Sequence, residues 1–170
     1  GGTDYNSIVN TPSSNFTYTL GFKGNFIAKY SPTGNLLWHK EFHQHGSDNS
    51  SWQIDYSNGN LFFTGAMADT LITNDTTYTA YYVSSLSSQF IACVDTASNF
   101  QWIKSFSPSN ISGNHLASRG NSVYLARSSS YNNSDTLSLT KFSHTGLEQF
   151  RYFSLLNPLG SLHSIREINI

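Results

Sequence analysis

Phe26, Ala28 and Tyr30 occupy alternate positions and Ile27 and Lys29 the positions between them, a pattern that predicts a half-buried β-strand. Successive side chains of a strand point to opposite faces, so Phe26 and Tyr30 share one face of this strand. Residues 31–35 then contain a proline that fixes φ and a glycine suited to positive φ, which predicts a tight turn. Residues 36–42 form the returning strand, so the whole segment is predicted to be a β-hairpin.

This hairpin pattern occurs three times along the chain. The three copies are residues 26–38, 90–102 and 138–150. Each copy ends on an aromatic residue, first Trp38, then Trp102 and finally Phe150. Recurrence at intervals of this size in a β-rich sequence predicts the blades of a propeller or, less often, other stacked β-units.

A second phrase separates the hairpins. Residues 58–65 and 119–126 both place a Gly-Asn pair before a short strand, and another short strand precedes each of them. A full unit is therefore strand, Gly-Asn turn, strand, variable loop, strand, tight turn, strand, which matches the four antiparallel strands of one blade. The positions that define the repeat are Gly34, Trp38, Gly59, Asn60, Trp102, Gly120, Asn121, Gly146 and Phe150.

These patterns predict an all-β fold in which residues 1–170 form a single β-propeller segment of about three to three and a half units. The blade parts are residues 1–42, 46–106, 107–153 and 154–170. Propeller rings are built from about four to eight blades, so this segment is expected to be an incomplete propeller. It is either part of a longer protein or completes its sheets with a partner, because open sheet edges favour aggregation.

The longer unit carries its extra residues at 68–89, between its second and third strands. Insertions in repeat proteins map to loops or lengthened strand pairs, which often carry binding. Tyrosine with small polar residues provides contact area at low entropic cost. The predicted binding residues are Thr70, Thr73, Tyr78, Tyr81 and Tyr82.

The composition favours a secreted or cell-surface β-protein. Charged residues make up 11% and aromatic residues 15% of the chain, whereas charged residues reach about 25% in typical soluble domains. The net charge is −1 and lysine and arginine do not cluster, so we expect no nucleic-acid partner. The apolar runs are too short for a transmembrane helix, and no transmembrane segment is expected.

Few residues suggest chemistry. Cys93 is the only cysteine, which excludes an intrachain disulfide and a cysteine-rich zinc site and favours a buried strand position. His43 and His45, with Asp48 nearby, form the one metal-like cluster, but this spacing is ordinary in a chain with six histidines. We find no nucleophile motif or paired carboxylates, and expect no catalytic residues, metal site or cofactor.

The two phrases resemble the bacterial beta-propeller repeat family of surface and secreted proteins. Residues 59–65 carry the Gly-Asn strand of that family, and residues 26–38 carry its hairpin. The third hairpin departs from the pattern, with Phe150 in place of tryptophan and Ser138 in place of the leading phenylalanine. The resemblance implies a propeller in an extracellular, often adhesive or scaffolding setting, without catalytic residues. Quinoprotein-like propellers are a more distant resemblance, through residues 33–38.

The sequence thus predicts a non-enzymatic extracellular module that scaffolds or binds proteins or surface glycans. One alternative is part of a propeller enzyme of the quinoprotein or glycosidase type. Another is a subunit of a surface or secretion assembly that pairs through open sheet edges.

Overall fold

A computed structural model of the chain describes residues 5–10, 15–20, 24–44, 52–67, 70–73, 77–79, 88–106, 110–131 and 134–156. These residues form strands and turns, and none of them lies in a helix. The strands are β1 (Tyr5–Asn10), β2 (Asn15–Leu20), β3 (Gly24–Tyr30), β4 (Leu36–Gln44), β5 (Gln53–Ser57), β6 (Asn60–Met67), β7 (Thr70–Thr73), β8 (Thr77–Thr79), β9 (Ser88–Asp95), β10 (Phe100–Ser105), β11 (Asn110–Arg119), β12 (Ser122–Tyr131), β13 (Ser134–Ser143) and β14 (Glu148–Leu156). The prediction of an all-β chain is therefore confirmed over this part.

The strands form three four-stranded antiparallel sheets and one two-stranded sheet. The first sheet has the order β3-β4-β7-β8, the second β5-β6-β9-β10 and the third β11-β12-β13-β14, while β1 and β2 pair with each other. In the second and third sheets each strand lies beside its neighbours in the predicted unit, with the predicted turns between them. Both sheets are therefore the four-stranded antiparallel units that the sequence predicts.

The long insertion does not stay within its own unit. Its strands β7 and β8 form a hairpin that leaves the second sheet and pairs with β4 of the first, where Phe42 lies opposite Thr73 and Gln44 opposite Leu71. The sequence indicated a strand pair or loop here but not the sheet that receives it. Because pairing across a sheet edge is non-local, nothing in the insertion itself selects this partner.

The core consists of two apolar clusters, each formed where one sheet faces the next. In the first cluster, Ile27 and Phe42 of the first sheet pack against residues of the second. The second-sheet members are Phe63, Phe90, Ala92 and Val94, with Trp52 packed at the side. In the second cluster, Ile91 of the second sheet and Phe106, which directly follows β10, pack against the third sheet. The third-sheet members are Val123, Leu125 and Phe142.

The two clusters use the same positions of the repeat. Ile91 and Phe106 stand in the second copy of the hairpin where Ile27 and Phe42 stand in the first. In β9 the neighbouring residues Phe90 and Ile91 serve different clusters, because alternate side chains point to opposite faces. The second sheet therefore packs on both faces, and its strand β9 is buried almost throughout.

Candidate functional site: the junctions between successive sheets

The three hairpin turns have the same backbone conformation and the same hydrogen bonds. Gly34, Ser98 and Gly146 occupy the left-handed position with φ of 84°, 71° and 79°. In each turn a backbone N–H at this position donates to the carbonyl three residues earlier, and the side chain at that earlier position, Ser31 in the first copy, accepts from the backbone N–H that follows the turn. The predicted turn chemistry is therefore observed, although the second copy uses a serine where the others have glycine.

Each hairpin also has a β-bulge at the same place, immediately before the recurring aromatic residue. The register shifts between Tyr30 opposite Leu36 and Lys29 opposite Trp38, and equivalent shifts precede Trp102 and Phe150. A bulge adds one residue to a strand and reorients the side chains beside it. It thereby places all three aromatic residues in the same setting within their sheets.

The two tryptophans make the same contact with the following sheet. Trp38 Nε1 donates to the carbonyl of Thr96 at 2.8 Å, and Trp102 Nε1 donates to the carbonyl of His144 at 2.6 Å. Thr96 and His144 hold the same position in the turns of the second and third hairpins. The recurring tryptophan therefore joins consecutive units, as an aromatic residue with one polar atom can do.

Gly146 receives the indole ring of Trp102. A Cβ atom at Gly146 would lie 2.7 Å from Cδ2 and 2.8 Å from Cγ of that ring. At this junction the glycine therefore serves both its positive φ and the close approach of the preceding unit, whereas Ser98 holds the equivalent position at the first junction.

Phe150 ends the series differently. It cannot donate a side-chain hydrogen bond, and it is 46% exposed on the third sheet. Within the described residues no further sheet follows the third. The loss of tryptophan in the third repeat thus coincides with a face that remains open.

The Gly-Asn phrases form contacts between the second and third sheets. Their turns, however, are equivalent one residue away from where the sequence alignment places them. Asn58 and Gly59 are the turn residues in the second sheet, whereas Gly120 and Asn121 are the turn residues in the third. Asn58 Nδ2 donates at 2.9 Å both to the carbonyl of Gly120 and to Oδ1 of Asn121. Asn60 instead begins strand β6 and donates from Nδ2 to the carbonyl of Asn58 at 3.3 Å. Two different two-residue turns, with positive φ at both positions or at the first only, account for the shift.

A carboxylate adds to the same junction. Asp55 Oδ2 in β5 accepts hydrogen bonds from the backbone N–H and from Oγ of Ser118 in β11, the latter at 2.8 Å. Asp95 fixes its own turn, and hydrogen bonds from the side chain and backbone of Asn99 hold its pKa below the ordinary value. Glu148 pairs with Arg151. These three carboxylates, whose side chains the structure describes, thus all serve structural contacts.

A groove opens between the first and second sheets. It has a volume of about 290 Å³, and Ala28 and Tyr30 form one wall, while Ile54, Tyr56 and Leu61 form the floor. Tyr30 is 40% exposed, Ile54 54% and Tyr56 60%. The groove is therefore apolar and aromatic, and it is accessible from solvent.

Polar groups border the groove. Lys29, Asp95 and Thr96 line it, and Lys29 Nζ donates to the carbonyl of Thr96 at 3.1 Å. The rim thus offers one cation and one carboxylate beside an apolar floor, which is a common composition for a binding cleft.

The corresponding space between the second and third sheets is filled. Leu116 occupies in β11 the place that Ile54 occupies in β5, and it packs against the second apolar cluster. Phe62 of β6 fills the adjacent space, with its ring 4.9 Å from that of His144. In the first sheet β3 is the terminal strand, so no strand of that sheet covers Ile54 in the way that β5 and β6 cover Leu116.

The predicted binding residues of the insertion are placed only in part. Thr70 and Thr73 lie at the two ends of β7, and Tyr78 lies in β8, opposite Leu71. Tyr81 and Tyr82 lie outside the described residues, as do His45 and Asp48 of the metal-like cluster, whereas His43 lies in β4. Among the described residues, no three histidine, cysteine or acidic side chains are grouped as metal ligands would be.

The groove residues Ile54 and Tyr56 were not selected from the sequence. The available signal was their alternation with Trp52, which gives β5 one apolar face. That pattern predicts that the apolar face of β5 is buried. It does not show that the first sheet lacks a strand to cover this face, so the sequence alone could not identify these residues as accessible.

Cys93 is buried in β9, as expected from its strand position. Burial, with a smaller effect of the nearby Asp95 carboxylate, raises the pKa of its thiol to about 12. The thiol is therefore protonated at neutral pH and is a core residue.

Comparison with protein-family models, with curated proteins and with solved structures gives no match for this chain. The resemblance to propeller repeats therefore depends on the motifs themselves. Over the part of the chain that the structure describes, no helix has the length and hydrophobicity needed to cross a lipid bilayer.

Proposed function

We propose that the chain is a non-enzymatic, extracellular module of β-propeller blades, and that it binds an extended segment of a partner protein in the groove between its first two sheets. The observation that carries this proposal is the groove itself, an accessible apolar cleft at a junction whose counterpart between the second and third sheets is filled. The blade assignment is supported by the two four-stranded antiparallel units and by their repeated tryptophan contacts.

An extended protein segment suits the groove because β3, which forms one wall, is the terminal strand of its sheet. A terminal strand presents backbone N–H and C=O groups to which another strand can be added, and alternate side chains of that strand reach the surface beneath. Here that surface contains Ile54, Tyr56 and Leu61. Backbone pairing would supply affinity, and the apolar floor would select side chains.

A surface glycan is a second candidate ligand, favoured by the exposed rings of Tyr30 and Tyr56. Aromatic rings with one polar atom bind the apolar faces of amphipathic ligands while remaining in contact with water. An enzymatic role has less support, because Asp55, Asp95 and Glu148 all have structural partners. The low content of charged residues supports the extracellular setting.

The test uses a fluorescein-labelled peptide of alternating valine and threonine residues, together with an array of surface glycans. In the Ile54→Asp variant, peptide affinity should fall about tenfold or more, because burial of an isoleucine side chain contributes about 1.5–3 kcal/mol. Leu147→Asp is the matched control, since Leu147 is 69% exposed in the turn of the third sheet. Fluorescence anisotropy measures both affinities. Equal binding by wild type and Ile54→Asp contradicts the assignment of the groove.

A further variant separates the groove from the insertion. Residues 70–82 are replaced by a short Gly-Ser linker, which removes the predicted binding residues and the hairpin that pairs with β4. We expect peptide binding to remain, because the groove contacts none of these residues among those described. If this folded variant loses peptide binding while the Ile54→Asp variant binds the peptide as well as wild type, the binding site lies in the insertion and not in the groove.

A further inference from the structure

We propose that the open face of the third sheet docks the first sheet of a second copy of this chain, so that copies associate head to tail. This inference does not depend on ligand binding in the groove. It is carried by an interface that occurs twice within the chain, and by the first and third sheets, which present the two unlike halves of the same interface.

The first half of the interface is the trailing face, the face that a sheet turns toward the sheet after it. In the first two sheets this face includes the isoleucine pair Ile27 and Ile91, the tryptophans and the phenylalanine pair Phe42 and Phe106. The third sheet has Leu139, Phe150 and Ser154 at the same positions, and Tyr152 lies between the last two on the same face.

The trailing face of the third sheet is apolar and accessible. Phe150 is 46% exposed and Tyr152 60% exposed. Tyr124 holds the place that Phe62 holds in the second sheet, and Lys141 Nζ lies 5.7 Å from the centre of its ring. Adjacent exposed aromatic side chains of this kind are typical of an interaction surface.

The second half is the leading face, the face that a sheet turns toward the sheet before it. In the second sheet it includes Phe90 and Phe100, which pack against the first sheet. The equivalent residues of the first sheet are Phe26 and Leu36, and Phe26 is 38% exposed. The first sheet thus retains an apolar leading face.

The first sheet also retains the turn that receives an aromatic residue. Gly34 has φ of 84° and is equivalent to Gly146, against which the ring of Trp102 lies. The carbonyl of Pro32 is equivalent to those of Thr96 and His144, which accept from the tryptophans. The first hairpin therefore offers a glycine and an acceptor to an aromatic residue from a preceding unit.

Because the two halves are different surfaces, their association is heterologous and generates rings or filaments rather than closed two-fold dimers. Phe150 fills the position of the indole without its N–H, so this contact lacks the hydrogen bond of the two internal junctions. We therefore expect association that is reversible and depends on concentration.

The test measures solution mass by sedimentation equilibrium of the full chain from about 1 µM to about 500 µM, a range that covers weak to moderate affinity. The mass should rise above the monomer mass of 18.9 kDa as the concentration rises. Phe150→Trp restores the donor and should strengthen association about two- to tenfold, the worth of one hydrogen bond. A monomer at every concentration overturns the proposal, and so does a Phe150→Trp variant that associates no better than wild type.

Direction is tested by two variants that each remove one half. Phe150→Arg disables the trailing face, and Leu36→Arg disables the leading face at the position equivalent to Phe100. Leu37→Arg is the matched control, because Leu37 is the neighbouring residue at the bulge and is 56% exposed. Each disabled variant alone should be monomeric, the control should associate as wild type, and an equimolar mixture of the two disabled variants should stop at dimers. Association of either disabled variant by itself at wild-type strength contradicts a head-to-tail contact.

Discussion

Gly146→Ala is the most direct test of how consecutive sheets are joined. The substitution adds one methyl group where a Cβ atom would lie 2.7 Å from Cδ2 of Trp102, well inside van der Waals contact. The ring cannot move away without loss, because its Nε1 donates to the carbonyl of His144 at 2.6 Å. Overpacking of this kind costs about 1–3 kcal/mol.

The backbone of Gly146 contributes a separate cost, and the chain provides its control. Gly146 and Gly59 have nearly the same φ, 79° and 77°, but the space around a Cβ at Gly59 is empty. An alanine in the left-handed region costs about 1–2 kcal/mol. Gly59→Ala should therefore destabilise the chain by about 1–2 kcal/mol, and Gly146→Ala by about 2–5 kcal/mol once the steric cost is added.

Equilibrium unfolding in urea measures both free energies, at a protein concentration low enough to keep the chain monomeric. A double-mutant cycle with Trp102→Ala assigns the excess to the indole, because contacting residues couple and distant ones do not. Since Trp102→Ala alone costs about 3–5 kcal/mol, sucrose is added throughout to stabilise the folded state. Equal costs for Gly146→Ala and Gly59→Ala refute the reasoning, as does an excess that persists when Trp102 is absent.

Four further predictions concern single residues. Trp38→Phe should lower the unfolding free energy measured in urea titrations by about 0.5–1.5 kcal/mol, the contribution of the lost hydrogen bond. An unchanged unfolding free energy contradicts the hydrogen bond to Thr96. Asp55→Ala should lower the unfolding free energy by about 1–3 kcal/mol, because it leaves the N–H and hydroxyl of Ser118 without their acceptor. Ser118→Ala should lower it less, and a larger loss for Ser118→Ala than for Asp55→Ala contradicts this prediction. Cys93 should react with a thiol reagent only as fast as the chain unfolds, because it is buried and its pKa is raised to about 12; rapid labelling of the native chain opposes this. Burial lowers the pKa of His144, so the unfolded chain binds more protons and stability should fall as pH drops below about 6.5; His144→Phe should reduce this dependence.

Local features of the sequence were sufficient for the hairpins. Alternation over residues 26–30 specified a strand, and the glycine at 34 specified a turn with positive φ, because both depend on a few neighbouring residues. The recurrence of Trp38 at 102 showed that the hairpins belong to one repeat. The bulges and hydrogen bonds of the three hairpins agree with that interpretation.

Contacts between distant segments could not be predicted from the sequence. A tryptophan predicts a buried ring with one donor, but only the arrangement of the sheets selects the carbonyl of Thr96 as the acceptor of Trp38. The Gly-Asn alignment was one residue out of register because glycine suits either position of a two-residue turn. The groove also depends on which strand terminates the first sheet, a property of pairing rather than of composition.

What the sequence determined by itself was the repeating four-stranded unit, since strand period and turn chemistry act over a few residues. The tertiary structure decided which faces meet, that β7 and β8 join the first sheet, and that the first junction remains open while the second is filled. Those outcomes depend on which strand edges and apolar faces are still without a partner after every unit has formed. That is a property of the whole assembly of sheets, and no local sequence pattern encodes it.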